Sequence, residues 1–107
     1  MPKRGYVYLL GDSERENVYK IGVTTGTIEN RIKKLQTGNS GEIFIVNYFL
    51  SENPFFVEKW LHKQYYGNRV HGEWFEMSIE EKLCFLETCE KYEKLYLLYK
   101  QMKNNLK

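Results

Sequence analysis

The sequence contains few residues of the kinds that build zinc modules and disulfide frameworks. Only two of its 107 residues are cysteine and two are histidine. Cys84 and Cys89 lie in a predicted helix, separated by about 500° of rotation, so their side chains point to different sides. That spacing predicts neither a zinc pair nor a disulfide, and the spacing of His62 and His71 matches no zinc signature.

Long apolar runs and nucleotide-binding motifs are missing as well. No run approaches the ~18 apolar residues that a membrane span requires, and "MPKRG" is too short for a targeting signal. We therefore expect a cytoplasmic protein with reduced thiols and no membrane association. The Walker loop, the dinucleotide glycine fingerprint and the nucleophile elbow are also absent, which argues against the enzyme classes built on them.

What the sequence does contain fits one folded domain. Hydrophobic residues make up 42% of the chain and aromatic residues 16%, enough for a single core. Nine tyrosines supply rings for packing and phenols for solvent, phosphate or proton transfer. The net charge of +2 permits nucleic-acid binding but does not predict it. No repeat or linker divides residues 1–107, so we expect a single domain.

The beginning of the chain predicts an antiparallel hairpin. "YVYLL" (6–10) and "VYKIGVT" (18–24) have strand composition, and the polar "GDSEREN" (11–17) forms the turn between them. Alternation places Tyr8 on one face of the first strand and Lys20 on the corresponding face of the second. If the apolar faces meet the core, Tyr8 and Lys20 emerge together on the outer face.

Two helices and a third strand are predicted next. "TIENRIKKLQ" (27–36) is a helix capped by Thr27, with an apolar stripe formed by Ile28, Ile32 and Leu35. "EIFIVNYFL" (42–50) is apolar on both faces, a pattern typical of a strand covered on both sides. A second helix, capped by Asn53 with Pro54 at its first position, runs to Gly67. A short extended segment or turn follows at "HGEWFEM" (71–77).

The last segment predicts one long helix over roughly 79–103, about 37 Å in length. Ser78 and Glu81 form a capping box at its start. Its apolar surface is too long for so small a domain to cover, so we expect a homodimer or a helix that wraps back over the sheet. The predicted fold class is therefore α/β (α+β): a small three-stranded, mainly antiparallel sheet flanked by helices, with a long C-terminal helix at about 78–103.

Taken singly, the polar candidates have ordinary structural explanations. Tyr8 fits a tyrosine at the rim of the core, and Lys20 and Arg31 fit solvated charges. Glu58 and His62, four residues apart, fit a surface pair on one helix.

Taken in order, these residues resemble the GIY-YIG nuclease superfamily. The first motif corresponds to "YVY" (6–8) and the second to "KIG" (20–22), with the helical arginine at Arg31 and the glutamate of the later helix at Glu58. The resemblance is to the phage- and virus-associated branch, in which K-I-G is the second motif. "LQTGN", His62 four residues after the glutamate, and "GEWF" match that branch also, so the likeness covers roughly residues 5–77.

Two positions depart from the superfamily pattern. The second tyrosine is replaced by Lys20, while Tyr19 beside it points to the opposite face. The histidine often found four residues after the arginine is Leu35, whose apolar spacing marks it as a core residue. We assign His62 to the catalytic set as its replacement.

The resemblance implies hydrolysis of DNA by water with a single divalent ion, Mg²⁺ or Mn²⁺, bound by Glu58. Arg31 would contact the same phosphate through its planar, permanently charged fork. Tyr8 would position the attacking water or accept its proton. Lys20 would face the phosphate and Tyr8, and a neighbouring cation favours the phenolate.

The remaining candidates would lie at the rim or contact the nucleic-acid backbone: Tyr6, Lys33, Lys34, Arg69 and Glu73. Two alternatives stay open on the sequence alone. A catalytically silent DNA-binding module would keep the basic residues and tyrosines, whereas an interaction protein built on the long helix would need none of the site.

Overall fold

Antiparallel pairing organises the chain around one five-stranded sheet. The computed structural model describes residues 3–105. Its strands are β1 (Gly5–Asp12), β2 (Arg15–Thr24), β3 (Ile43–Ser51), β4 (Arg69–His71) and β5 (Trp74–Glu76), in the spatial order β3-β1-β2-β5-β4. The helices are α1 (Ile28–Gln36), α2 (Pro54–Gln64), α3 (Ile79–Leu83) and α4 (Phe85–Asn105), with a 3₁₀ turn at Tyr66–Asn68. The mixed α/β class and the antiparallel sheet are confirmed, but the prediction of three strands is wrong.

The first hairpin is longer than the polar segment suggested. Pairing continues to Asp12 opposite Arg15, which leaves only Ser13 and Glu14 between the strands rather than the whole of 11–17. The segment after α2 supplies the two extra strands. β5 joins the sheet by pairing with β2, where Lys20 lies opposite Trp74, and β4 pairs with β5.

Both faces of the sheet are covered near its centre. On one face Val7, Leu9 and Ile21 join the larger core cluster, which includes residues of α2 and α4. On the other face Tyr8 is buried in a smaller cluster against which Leu35 of α1 packs. The assignment of Leu35 to the core is confirmed, while the expected outward position of Tyr8 is wrong because α1 covers that face.

The strand β3 lies at an edge of the sheet and is paired only with β1. The sequence predicted a strand covered on both sides, and that prediction is wrong. Several of its large apolar side chains are 40–50% exposed: Phe44, Ile45, Tyr48 and Leu50. The apolar composition of β3 therefore does not mean that both of its faces are buried.

Two predicted helix starts are confirmed by the backbone. The Thr27 hydroxyl accepts a backbone N–H of the first turn of α1 at 3.2 Å. Asn53 precedes α2 with Pro54 as its first residue, although the Asn53 side chain makes no capping hydrogen bond to a described residue. The helix ends at Gln64, three residues before the predicted stop at Gly67.

The predicted long helix over 79–103 is divided into α3 and α4 at Cys84. The capping box of Ser78 and Glu81 is present, with both reciprocal hydrogen bonds formed. The first half of α4 packs on the sheet, with Phe85, Cys89 and Tyr92 in the larger core cluster, whereas every residue from 97 to 105 is exposed. The far end of the helix therefore does not wrap back over the sheet. Within residues 3–105 we find no helix that combines the length and hydrophobicity needed to cross a membrane.

Candidate active site

Tyr8 and Gly22 lie opposite each other on β1 and β2 and fit together closely. Tyr8 is fully buried, and its ring covers the Cα of Gly22. A Cβ at position 22 would lie 2.6 Å from Cζ of Tyr8, inside van der Waals contact. The tyrosine of the first motif and the glycine that ends the second are thus packing partners.

Arg31 reaches Tyr8 from α1. Its Nε donates a hydrogen bond to the Tyr8 hydroxyl at 3.2 Å. Burial raises the pKa of Tyr8 above its ordinary value, and this effect outweighs the opposing bond from Arg31, so the phenol stays protonated at neutral pH. The same bond raises the pKa of Arg31. Arg31 favours the phenolate, as expected of a neighbouring cation, but the desolvation of Tyr8 is the larger effect.

Lys20 has a different partner from the one expected. Its Nζ lies 3.1 Å from a carboxylate oxygen of Glu73, and its side chain is only 13% exposed. The pairing of Lys20 with Trp74 across β2 and β5 fixes this contact, since Glu73 immediately precedes Trp74. The ammonium group also lies 5.6 Å from the centroid of the Trp74 ring. Glu73, rather than Tyr8, is the charge partner of Lys20.

Glu58 projects from α2 toward this ion pair with a side chain that is 18% exposed. Burial, followed by the charge and hydrogen bonding of Glu73, raises the pKa of Glu58 to about 7. The positive charges of Lys20 and Arg31 act in the opposite direction but do not cancel the rise. Side chains from five parts of the chain therefore form one electrostatic group: Tyr8, Lys20, Arg31, Glu58 and Glu73.

His62 completes the group one helical turn after Glu58. Its Nε2 lies 2.9 Å from the carbonyl oxygen of Ile21 and 4.0 Å from Glu58 Oε2. Because a carbonyl can only accept, Nε2 carries the proton in this contact. Glu58, His62 and Glu73 each offer a ligand atom within 4.8 Å of the others. Two carboxylates and an imidazole are a donor set suited to a divalent cation.

Of the other predicted rim residues, Tyr6 and Arg69 contact residues outside this group, Lys33 is exposed, and Lys34 lies in a groove with Arg31. Tyr6 packs edge-to-face on Tyr48, with ring centroids 5.8 Å apart. Arg69 Nε donates to the carbonyl oxygen of Gly72 at 2.8 Å and so holds the β4–β5 turn. Lys33 is exposed on α1, whereas Lys34 lines a groove of about 450 Å³ together with Arg31.

The sequence reasoning missed the central position of Glu73 and the exposed side of α2. The signal for Glu73 was available, because a lysine inside an otherwise apolar strand requires a partner, and "GEWF" supplies an acid beside a strand. On α2, Lys59 and Lys63 line a second groove of about 640 Å³ with Glu58, His62 and Tyr66. Their four-residue spacing places them on one side of the helix.

Comparison with characterised proteins gives little further help. No curated protein and no solved structure matches the chain. One family match provides the evolutionary context for the site.

The model of the T5orf172 domain family matches residues 5–92. The match begins with β1, includes every residue of the electrostatic group, and continues past residue 77 through α3 into α4. This family is a phage-associated, nuclease-like domain, which suggests a nuclease-like or DNA-binding function. Because the match covers most of the chain, the protein belongs to the T5orf172 domain family.

Proposed function

We propose that this protein is an endonuclease that hydrolyses DNA phosphodiester bonds with a GIY-YIG-type site and a divalent metal ion. The observation that supports this most is the convergence of one electrostatic group from separate elements. Its members are Tyr8 on β1, Lys20 on β2, Arg31 on α1, Glu58 and His62 on α2, and Glu73 before β5. A purely structural role gives no reason to place Glu58 beside Glu73, since that contact favours a protonated carboxyl.

Arg31 is the residue that would bind the scissile phosphate. Its Nε is engaged by Tyr8, and within residues 3–105 the two terminal nitrogens of the guanidinium make no hydrogen bond, so they could donate to phosphate oxygens. Tyr8 is itself held by the close fit with Gly22. Since its hydroxyl is buried beneath Arg31, Tyr8 would be a positioning residue that acts on the phosphate through the arginine.

Glu58 and Glu73 would hold the metal ion, either Mg²⁺ or Mn²⁺, and His62 would have to join them through Nδ1, since its Nε2 donates to the carbonyl oxygen of Ile21. A divalent ion bound there would supply positive charge to the oxygens of the phosphate in the transition state. Glu58 must give up its proton to act as a ligand, so metal binding should strengthen as the pH rises through about 7. Lys20, in contact with Glu73, would orient that carboxylate and add positive charge near the substrate.

The test is a cleavage assay with single-stranded, duplex and branched DNA in Mg²⁺, Mn²⁺ or chelator. We expect cleavage only with metal. Glu58→Gln should lose a thousandfold or more in cleavage rate, because losing the metal removes several kcal/mol of transition-state stabilisation and each decade in rate corresponds to about 1.4 kcal/mol. Glu87→Gln, at an exposed position on α4, is the matched control and should cleave normally. DNA binding without metal-dependent cleavage would instead identify a silent binding module, and neither activity would favour an interaction protein.

We also propose that the protein forms a homodimer through the end of α4. The part of this helix beyond the domain exposes several large apolar side chains: Leu97, Leu98, Tyr99 and Met102. Leu98 and Tyr99 lie four and three residues before Met102, so these three share one side of the helix, which a second copy of α4 could cover.

A further inference from the structure

Two strongly exposed aromatic rings lie near the two ends of α2, one on each side of the candidate active site. Phe55 is 62% exposed and Tyr66 is 69% exposed. Phe55 is the second residue of α2, and Tyr66 begins the 3₁₀ turn two residues after the end of this helix. Single exposed apolar residues are ordinary on protein surfaces, so the location of these two is what requires explanation.

Each ring lines a groove that also contains residues of the electrostatic group. Phe55 lines the groove of about 450 Å³ with Arg31 and Lys34. Tyr66 lines the groove of about 640 Å³ with Glu58 and His62. The two aromatic rings therefore flank the point at which the proposed function places the phosphate.

Positive charge accompanies both rings. Lys34 lies in the first groove, and the exposed Lys59 and Lys63 lie in the second. The ammonium group of Lys63 lies 4.8 Å from the centroid of the Trp60 ring, so this charge lies against the surface of α2. A polyanion that follows α2 would thus meet an exposed aromatic ring together with a cation on each side of the candidate active site.

Cations placed beside exposed aromatic faces are the chemistry that binds a nucleic-acid strand with unpaired bases. Bases in a duplex are stacked on one another and present only their edges in the grooves, so they cannot stack on a surface ring. Unpaired bases present both faces, and the backbone can then pass over the lysines. We infer that the substrate is DNA that is single-stranded at the site of cleavage, with bases stacked on Phe55 and Tyr66 on either side of the scissile phosphate. This inference rests on the proposed nuclease function.

The test measures binding in chelator, where no cleavage is expected. Fluorescence anisotropy is recorded at one fixed salt concentration with labelled oligothymidine, a hairpin duplex of equal nucleotide number, and oligouridine. We expect oligothymidine to bind most tightly. Phe55→Ala and Tyr66→Ala should each weaken that binding by about 5- to 100-fold with little change for the duplex, because a stacked base is lost. Phe55→Tyr should retain binding, since it keeps the ring.

Phe44→Ala is the matched control, because it removes an exposed ring on β3, 43% exposed, outside both grooves. Circular dichroism shows whether each variant is folded. Equal affinity of the wild type for duplex and oligothymidine, tighter binding of oligouridine, or unchanged binding in both folded alanine variants would overturn the inference. Preference for single strands without any metal-dependent cleavage would support this binding site and overturn the nuclease proposal. Metal-dependent cleavage with preferred binding to duplex would support the nuclease proposal and overturn the inference of a single-stranded substrate.

Discussion

Replacing Glu58 with glutamine should make the metal-free protein more stable, and only at high pH. The carboxyl of Glu58 is largely buried beside Glu73, and its pKa rises from 4.5 to about 7. Glutamine has nearly the same shape as the protonated carboxyl. Its amide can donate to Glu73 as the protonated acid does.

The sign and size of the effect follow from linkage. Below pH ~4.5 this carboxyl is protonated in both the folded and the unfolded chain, so its burial costs nothing there. As the pH rises from 4.5 to about 7, the unfolded chain ionises first and the wild-type protein loses stability. Above that range the wild type has lost about 3 kcal/mol of its free energy of unfolding, because each unit of pKa shift corresponds to about 1.4 kcal/mol. Glu58→Gln removes this cost.

The assay is urea unfolding followed by circular dichroism in the presence of chelator, near pH ~4 and pH ~8.5. We expect similar midpoints for the wild type and Glu58→Gln at the lower pH. At the higher pH the midpoint of the variant should rise by about 1–3 M, given a slope of about 1–3 kcal/mol per molar urea. Glu87→Gln should show neither change. A gain of equal size at both pH values, or no gain at the higher one, would refute the buried contact between Glu58 and Glu73.

The remaining predictions concern the metal, the lysine and the oligomer. Mn²⁺ should raise the melting temperature of the wild type at pH ~8 but not that of Glu58→Gln, because only the folded wild type presents the complete donor set. Equal shifts in both proteins would place the ion elsewhere. Lys20→Met should fold normally but cleave more slowly by on the order of a hundredfold, since it removes the partner of Glu73 and the positive charge near the phosphate. Near-wild-type turnover would show that Lys20 is only a solvated strand residue. Sedimentation velocity at micromolar concentration should show a dimer that Leu98→Lys converts to a monomer, whereas a monomeric wild type would contradict association through α4.

The features that could be predicted from sequence depend on neighbours along the chain. The cap at Thr27 and the apolar spacing that placed Leu35 in the core needed only local periodicity and side-chain chemistry. Alternation on β1 and β2 likewise placed Tyr8 on one face and Ile21 on the other. Such patterns are short in range, so they survive without knowledge of the fold.

The features that were missed depend on strand order and register. β4 and β5 have three residues each, too few for alternation to be recognised. The exposure of Phe44 follows from the position of β3 at the edge, which its composition does not encode. The contact between Lys20 and Glu73 joins residues far apart in sequence and becomes visible only when β2 pairs with β5. At Cys84 neither proline nor glycine marks the break between α3 and α4.

The short outer strand β4 bears on how the proposed activity would respond to heating. All three of its residues, Arg69–His71, are exposed, and it pairs only with β5. β5 is held more firmly, because Phe75 is buried in the larger core cluster and the backbone carbonyl of Glu73 accepts a hydrogen bond from Ile21. Regions with few buried contacts open at a lower free-energy cost than the core. Opening β4 would release the turn that holds Glu73 beside Lys20 and Glu58 while the central strands stay folded. Loss of the proposed activity should therefore precede global unfolding, and amide hydrogens of β4 should exchange before those of β1.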